Sequence, residues 1–448
     1  MKLKLAFFIL ILLGLLGSLV GNASEVIYGV SPYYFAKGHN RLPLQEIRRR
    51  LPEIRDLGVT ILWLQPVNLS ADPGQGYDVI DHFKVNPSFG SEMDLKVLVQ
   101  DAHRLGMRVI LDVALNHLSI QHPFAQDFIK RGSASTYHNF FQTSIDSRQP
   151  YSEHANIRRD GKATFVYYFW KPLVNLNFSN PKVREYAITV LEHWVSRYDM
   201  DGFRLDASWG PQSRWPEFYS TVNSRLRKLK RNIYLIAEDK AAYPSRYQSL
   251  QYPHLLNTGF NAAYDWNSTD PNWVSMWSFQ MGEEHGETVF NHESASEAAQ
   301  FYLQAVKTGF LRGQVHTIRY LENNDTGSFL HSHSREQTKF AAAALFLLPG
   351  PLMMFYGQEM GISYPQWHLP SINPAAKLSS YDPDLWYFYK GLIQLKKTPL
   401  FSLGKLVYLN LSGPAAVEFH LAYGHDVAIV TVDMARKNVN IKKRPRTR

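Results

Sequence analysis

Four carboxylic acids follow short apolar runs at widely separated points of the sequence: Asp112, Asp206, Glu238 and Asp325. The carboxyl ends of the parallel strands of a barrel meet on one rim, so these acids are expected to converge on one pocket. A single acid at a strand end is more often a helix cap. Four together weaken that interpretation considerably and favour one shared pocket of carboxyl groups.

Arg204 and Asp206 stand two residues apart on a predicted strand, so their side chains share one face. A fixed guanidinium beside a carboxylate favours the ionised form, which a nucleophile requires. Glu238 follows the apolar run 233–237, where burial and neighbouring carboxylates should raise its pKa. We therefore expect Asp206 to act as the nucleophile and Glu238 as the general acid.

Apolar runs with β-branched residues alternate with amphipathic stretches, which predicts a parallel sheet with helices between its strands. The expected strands are 26–30, 59–64, 108–113, 202–205, 233–237, 317–321 and 352–356. The expected helices are 44–57, 93–105, 181–198, 215–229, 294–308 and 335–347. Because the strands are apolar on both faces, we expect an α/β fold of the (β/α)8 TIM-barrel type, with an open doubly wound sheet as the structural rival.

Two stretches depart from this alternation. Residues 117–178 are rich in His, Ser, Arg, Asn and aromatic residues without a clear period, and so long a linker is improbable inside a compact domain. They predict an inserted subdomain after the third strand. Residues 401–448 contain apolar runs separated by turn residues, which predicts a small C-terminal antiparallel β domain. The barrel itself is then expected at 24–116 and 179–400.

The first 23 residues have the pattern of a signal peptide. Lys2 and Lys4 precede an apolar run at 5–20, and Gly21-Asn22-Ala23 supplies the small residues of a cleavage site. We expect a secreted or periplasmic protein with no stable membrane association after cleavage. An uncleaved membrane anchor is the alternative.

Composition excludes several classes of function. The sequence contains no cysteine, which excludes disulfides and thiol catalysis. Its formal net charge is +9, but the Lys and Arg residues are scattered over the whole length. We therefore expect no nucleic-acid partner.

Four segments around the acids resemble the four ordered sequence regions of the α-amylase family, glycoside hydrolase family 13. They are DVALNH at 112–117, GFRLDA at 202–207, AE at 237–238 and ENND at 322–325, and their order and spacing match the family as well. Supporting segments are GVTILWL at 58–64, GYDVID at 76–81 and FYGQEMG at 355–361. The resemblance covers roughly residues 26–400.

The resemblance implies a retaining glycosidase that cleaves α-1,4-glucosidic bonds in starch-type glucans or malto-oligosaccharides through a covalent glycosyl-enzyme, without an organic cofactor. It implies that Asp206 is the nucleophile, Glu238 the acid/base and Asp325 the carboxylate that fixes the distorted sugar. The substrate-binding residues it implies are Arg204, His117, Tyr77, Asp112 and Asn324.

Three departures from the family pattern bear on function. Asn324 stands where family members usually have His, and it can donate a hydrogen bond but cannot carry charge. Trp209 lies where starch-degrading members often have a Lys-His pair, and it either stacks on a sugar or packs the loop. Asn116 matches a family calcium ligand, but Asn175 replaces the usual Asp, so the sequence leaves a weakened structural calcium site open.

Two alternatives remain at this stage. A transglycosylase of the same family differs only in whether water or a sugar hydroxyl resolves the intermediate, and the motifs do not separate the two. A catalytically inactive glycan-binding relative is disfavoured, because a dead site has no chemical reason to keep Asp206, Glu238, Asp325 and Arg204 together.

Overall fold

The computed structural model describes residues 25–38, 40–71, 75–147, 152–240, 258–264, 289–290, 292–310, 316–365 and 367–445. The predicted signal peptide at 1–23 lies outside the described residues. Among the residues that are described, no helix is both long and apolar enough to cross a membrane.

The strands up to residue 355 are β1 Val26–Val30, β2 Ile61–Leu64, β3 Asn68–Ser70, β4 Val79–Val85, β5 Arg108–Ala114, β6 His117–Ser119, β7 Asn156–Asp160, β8 Ala163–Tyr167, β9 Leu173–Asn175, β10 Gly202–Asp206, β11 Tyr234–Lys240, β12 Ala262–Tyr264, β13 His316–Ile318 and β14 Leu352–Phe355. Eight of them are parallel and form the central sheet, in the order β1, β2, β5, β10, β11, β12, β13 and β14. A parallel bridge between Arg319, just after β13, and Leu352 in β14 closes this sheet into a barrel.

Helices occupy the connections between these strands. They are α1 Pro32–Phe35, α2 Pro43–Leu57, α3 Glu92–Arg104, α4 Pro123–Arg131, α5 Pro181–Tyr198, α6 Trp209–Arg214, α7 Phe218–Leu229, α8 Ala295–Phe310, α9 Phe329–Ser332, α10 Arg335–Phe346, α11 Pro383–Lys396 and α12 Pro399–Ser402. Local sequence sets their ends. In α5, for example, the Asn180 side chain accepts the backbone N–H of Lys182, and Asp199 ends the helix in the left-handed conformation.

The predicted (β/α)8 barrel is therefore confirmed, and several elements agree closely. Strand 26–30 and helix 181–198 have the predicted bounds. Strands β1, β2 and β14 are buried along their whole length, as expected for barrel strands that are covered on both faces. Two predictions were incomplete. The strand at Ala262–Tyr264 is not among the predicted ones, and the single helix predicted at 215–229 is preceded by the separate helix α6.

The insertion after the third barrel strand begins and ends on a short antiparallel ladder. In it β6 pairs with β9, and His117 lies opposite Asn175. The insertion also contains α4 and the hairpin of β7 and β8, although its sequence shows no clear helix or strand period. Its two ends are thus joined beside the rim of the barrel.

The C-terminal module is a four-stranded antiparallel sheet of β15 Lys405–Gly413, β16 Ala416–Tyr423, β17 Asp426–Asp433 and β18 Asn438–Pro445. It contacts α8, α10 and α12. Alternate residues of β16, such as Val417 and Phe419, are fully buried, so one face of the sheet packs against the barrel helices. This confirms the expected antiparallel module.

Candidate active site

Arg204 is the centre of the candidate site, because its buried guanidinium contacts four carboxyl groups. Nη1 donates to Asp206 Oδ1 at 2.6 Å and to Asp112 Oδ1 at 3.0 Å. Nη2 contacts Glu238 Oε1 and lies 3.9 Å from Asp325 Oδ2. We call these five residues the Arg204 cluster. The four strand-end acids thus converge as the sequence predicted, and the i, i+2 argument for Arg204 and Asp206 is confirmed.

Asp112 is the buried floor of the cluster. Besides Arg204, it accepts hydrogen bonds from the indole N–H of Trp63 at 3.2 Å and from the hydroxyl of Tyr77 at 3.0 Å. Burial raises the pKa of Asp112 to about 7, while the charge of Arg204 lowers it and that of Asp206 raises it. Asp112 therefore positions Arg204 and Tyr77 from behind the other three acids.

Glu238 is held by the turn that follows Asp206. Its Oε2 accepts the backbone N–H of Ala207 at 2.7 Å. Ala207 has a φ of 42°, an uncommon conformation for a residue other than glycine, and backbone strain of this kind occurs at sites that the surrounding structure fixes. Burial raises the pKa of Glu238 well above its usual range, and the charges of Asp206 and Asp325 add to this effect against that of Arg204. This direction agrees with the expectation from the sequence, and it favours the protonated form that a general acid needs.

Asp325 is the most open acid of the cluster. Its side chain is 41% exposed, whereas those of Asp206 and Glu238 are 13% and 7% exposed. Asn324 donates to Asp325 Oδ1 at 3.0 Å and lies 3.4 Å from the Tyr77 hydroxyl. The cluster is therefore open toward Asp325, and Asn324 connects that acid to Tyr77.

His117 lies beside the cluster with its ring almost fully buried. Nε2 lies 3.1 Å from the carbonyl oxygen of Tyr77, so a proton on Nε2 is donated to it. Burial lowers the pKa of His117, which keeps the ring neutral at pH 7. The edge of Phe169, a residue of the insertion, packs against this ring with centroids 5.8 Å apart, and Phe169 remains 37% exposed.

Trp209 is a buried side chain of the segment that follows Asp206. Its side chain is 1% exposed and packs against the rings of Tyr168 and Phe169 with centroids 5.4 and 6.3 Å away. Of the two roles that the sequence left open, burial favours packing and speaks against a stacking surface for substrate. Phe169, in contrast, is partly exposed.

The two residues considered as calcium ligands lie close to the same turn. Asn116 Oδ1 accepts a hydrogen bond from Arg214 Nη1 at 2.8 Å, so a cationic side chain already occupies this oxygen. Asn175 donates from Nδ2 to Gln142 Oε1 at 3.2 Å. Across the described part of the chain, no group of three or more His, Cys, Asp or Glu side chains could hold a metal ion. These residues do not fit a calcium ion, which needs several oxygens and usually carboxylates.

Four residues of the site were not predicted from the sequence. Trp63 donates to Asp112, Tyr264 lies 3.3 Å from Arg204 Nε, Ala207 donates to Glu238, and Phe169 covers His117. Trp63 could have been found from its place at the end of a predicted strand. No local signal marks Tyr264, because its strand β12 is only three residues long.

A closed parallel barrel whose strand ends gather carboxyl groups around one guanidinium has the architecture of a barrel glycosidase. The comparisons with known proteins make this specific. A model of the α-amylase catalytic domain matches residues 32–384, and the chain belongs to the α-amylase family of glycosidases.

Individual relatives are more distant. Alpha-amylase 3 of Dictyoglomus thermophilum is 25% identical over 429 residues, which cover 86% of this chain and 79% of that protein. The intracellular maltogenic amylase of Bacillus subtilis is 27% identical over 398 residues, which cover 84% of this chain but 62% of that protein. The crystal structure of an α-amylase from H. orenii superposes with a TM-score of 0.73 at 21% identity, covering 91% and 89% of the two chains, and supports the fold.

Proposed function

We propose that this protein hydrolyses α-1,4-glucosidic bonds of starch-type glucans or malto-oligosaccharides with retention of anomeric configuration. The observation that carries the proposal is the Arg204 cluster. Its guanidinium orients the Asp206 carboxylate at 2.6 Å, while burial and the charges of Asp206 and Asp325 raise the pKa of Glu238. A carboxylate nucleophile beside a protonated carboxyl group is the pair that a retaining glycosidase needs.

Two steps follow from this arrangement. In the first, Glu238 donates its proton to the glycosidic oxygen while Asp206 attacks the anomeric carbon, so the C–O bond to the departing sugar breaks and an ester to Asp206 forms. In the second, the Glu238 carboxylate takes a proton from water, and the oxygen of that water displaces Asp206. Both substitutions invert the anomeric carbon, so the net result is retention.

The remaining residues suit a neutral sugar. Tyr77 and Asn324 present a hydroxyl and an amide beside Asp325, and Phe169 presents an exposed ring next to His117. We propose that Asp325 and His117 bind hydroxyls of the sugar at the cleavage point and that Phe169 stacks against a neighbouring one. The relatives named above are an α-amylase and a maltogenic amylase, which favours glucose polymers as the substrate class.

Incubation with maltoheptaose tests the proposal. Chromatography of the products should show glucose, maltose or maltotriose accumulating without chains longer than seven units. Longer chains would mean transfer to a sugar hydroxyl in place of water. Unchanged maltoheptaose, with binding still detectable by calorimetry, would mean an inactive glycan-binding relative.

The stereochemistry provides a separate test. Proton NMR of the first products should show the α-anomer before mutarotation, as attack by Asp206 requires. A β-configured first product would overturn the assignment of Asp206 and Glu238.

We also propose that residues 1–23 act as an export signal that is removed, so that the enzyme works outside the cytoplasm. The support is the charged start, the apolar run and the small residues before Ser24. N-terminal sequencing of the native protein should give Ser24 as the first residue. Recovery of chains that start at Met1 in a membrane fraction would indicate an anchor.

A further inference from the structure

Arg214, the last residue of α6, is a buried cation that the reaction does not use. Nη1 donates to Asn116 Oδ1 at 2.8 Å and lies 3.4 Å from the carbonyl oxygen of Leu176. The guanidinium carbon lies 5.8 Å from the centre of the Tyr168 ring. Burial lowers the pKa of Arg214, and the neighbouring hydroxyls of Tyr168 and Tyr219 oppose this effect.

The contacts of Arg214 join three segments that meet at the active site. Asn116 follows the barrel strand β5 and directly precedes His117. Leu176 follows β9, where the chain leaves the insertion and returns to the barrel. Helix α6 starts three residues after Asp206. A cation at this point therefore holds the sugar-binding histidine, the insertion and the loop of the nucleophile together.

The glycine at position 210 shows that the close approach is built into the turn. A Cβ on Gly210 would lie 2.0 Å from Asn116 Oδ1 and 3.5 Å from Arg214 Nη1. Only a residue without a side chain lets α6 come so near to Asn116 while the guanidinium reaches the same oxygen. The backbone is also tied here, since the N–H of Leu176 donates to the carbonyl of Asn116 at 3.0 Å.

A calcium ion at this place would have to share its ligands with a buried positive charge. Asn116 Oδ1 is bound by Arg214, and Asn175 supplies an amide where a carboxylate would supply negative charge. Asn175 Oδ1 is buried with no hydrogen-bond partner among the described residues, but one neutral oxygen does not offset the repulsion between two cations.

We infer that the guanidinium of Arg214 takes the place of a structural cation, so that the junction between barrel, insertion and α6 is stable without calcium. Arg214 is a positioning residue: it acts on the substrate only through Asn116, His117 and α6. The inference does not depend on which glucan is cleaved.

Metal content and thermal unfolding of the full chain test the inference directly. The purified wild-type protein should contain less than about 0.1 calcium per chain, and neither excess EDTA nor millimolar CaCl2 should shift its Tm by more than about 1 °C. Stoichiometric calcium, or a Tm that EDTA lowers by several degrees, would overturn it.

Variants of Arg214 provide the second arm. Arg214→Ala should lower the Tm and reduce kcat/KM about tenfold through the loss of a buried charged hydrogen bond, and millimolar guanidinium chloride should restore part of both. Arg214→Lys should lower the Tm and kcat/KM less than Arg214→Ala does, since it retains the charge. Arg184→Ala is the matched control. Arg184 also donates to a backbone carbonyl at the end of the insertion, Phe178 O at 2.7 Å, but its side chain is less buried than that of Arg214. It should show no rescue by guanidinium.

The double variant Arg214→Ala with Asn175→Asp removes the internal cation and places a carboxylate at position 175. Calcium should raise its Tm by several degrees, while the Tm of Asn175→Asp alone should not respond because Arg214 still occupies the site. If Asn175→Asp alone responds to calcium as strongly as the double variant, or if Arg214→Ala equals wild type in Tm and kcat/KM, the inference fails. Should the Ala variants not fold, the wild-type and Arg214→Lys measurements still decide it.

Discussion

Replacing Glu238 with Gln should separate acid catalysis from nucleophilic attack. With maltoheptaose, whose leaving group is a sugar alcohol, kcat should fall by about 10² to 10⁴, the usual contribution of a positioned general acid. With α-glucosyl fluoride the leaving group needs little acid help, so the first step should survive. Because the second step still needs Glu238 as base, a glucosyl adduct should accumulate on Asp206.

The structure also indicates how much activity Glu238→Gln should lose on both substrates alike. Glu238 accepts the Ala207 N–H through Oε2 and pairs with Arg204 through Oε1. Gln has one carbonyl oxygen, so it can satisfy one of these donors and turns its amide toward the other. A buried donor left without an acceptor costs about 1–3 kcal/mol, or roughly 5- to 160-fold, on either substrate. The additional loss of activity on maltoheptaose, beyond that on the fluoride, then measures the contribution of acid catalysis.

The pH profile provides a further check on the same residue. Glu238 has a raised pKa and acts in its protonated form, so wild-type activity on maltoheptaose should be lost as the pH rises through that pKa. The alkaline limb should vanish when Glu238→Gln acts on the fluoride. Mass spectrometry of peptic peptides locates the adduct, and Asp206→Asn, which should form none, is the control. Equal losses on both substrates, or an adduct on any other residue, would refute the reasoning.

Three other predictions concern neighbouring residues. Asn324→Ala should lower kcat/KM about tenfold with a small change in Tm, because it removes the donor to Asp325; an unchanged kcat/KM in steady-state assays would contradict this. Burial raises the pKa of Glu322 to about 8, so the folded state keeps a proton that the unfolded chain releases near pH 4.5. The free energy of unfolding should therefore fall by up to ~1.4 kcal/mol per pH unit as the pH rises from 4.5 to about 8. Glu322→Gln cannot titrate, so urea unfolding at pH 5 and pH 8 should show a smaller fall than in wild type. Phe169→Ala should shift the product lengths from maltoheptaose at nearly constant Tm, whereas Trp209→Ala should cost about 3–5 kcal/mol of stability; the reverse pattern would restore Trp209 as the stacking residue.

The fold could be predicted from the sequence wherever the hydrophobic period persists over a whole element. Val26–Val30 is apolar throughout and Pro181–Tyr198 begins with a clear Asn-Pro signal, so both were predicted with correct bounds. Ala262–Tyr264 was missed, because three residues give no period and its burial comes from the neighbouring strands β11 and β13. Helix α6 was missed because Gly210 and Pro211 disfavour a helix locally.

The residues of the site also divide into those that could be predicted from the sequence and those that could not. Arg204 and its acids could be predicted, because strand alternation and the common rim of a barrel fix which side chains meet. The roles of Trp209 and Arg214 could not. Both depend on how closely α6 approaches Asn116 and the insertion, which is a matter of tertiary packing that no local period encodes.

One guanidinium shared by four carboxyl groups makes the pocket a small proton buffer. A neutral sugar adds no charge, so its binding should leave the number of bound protons almost unchanged. A ligand that carries its own positive charge near the anomeric position should stabilise the ionised acids and release protons to the solvent. The heat of binding of such a ligand will therefore vary with the ionisation enthalpy of the buffer. That dependence distinguishes a compound that imitates the charge of the transition state from one that imitates only its shape.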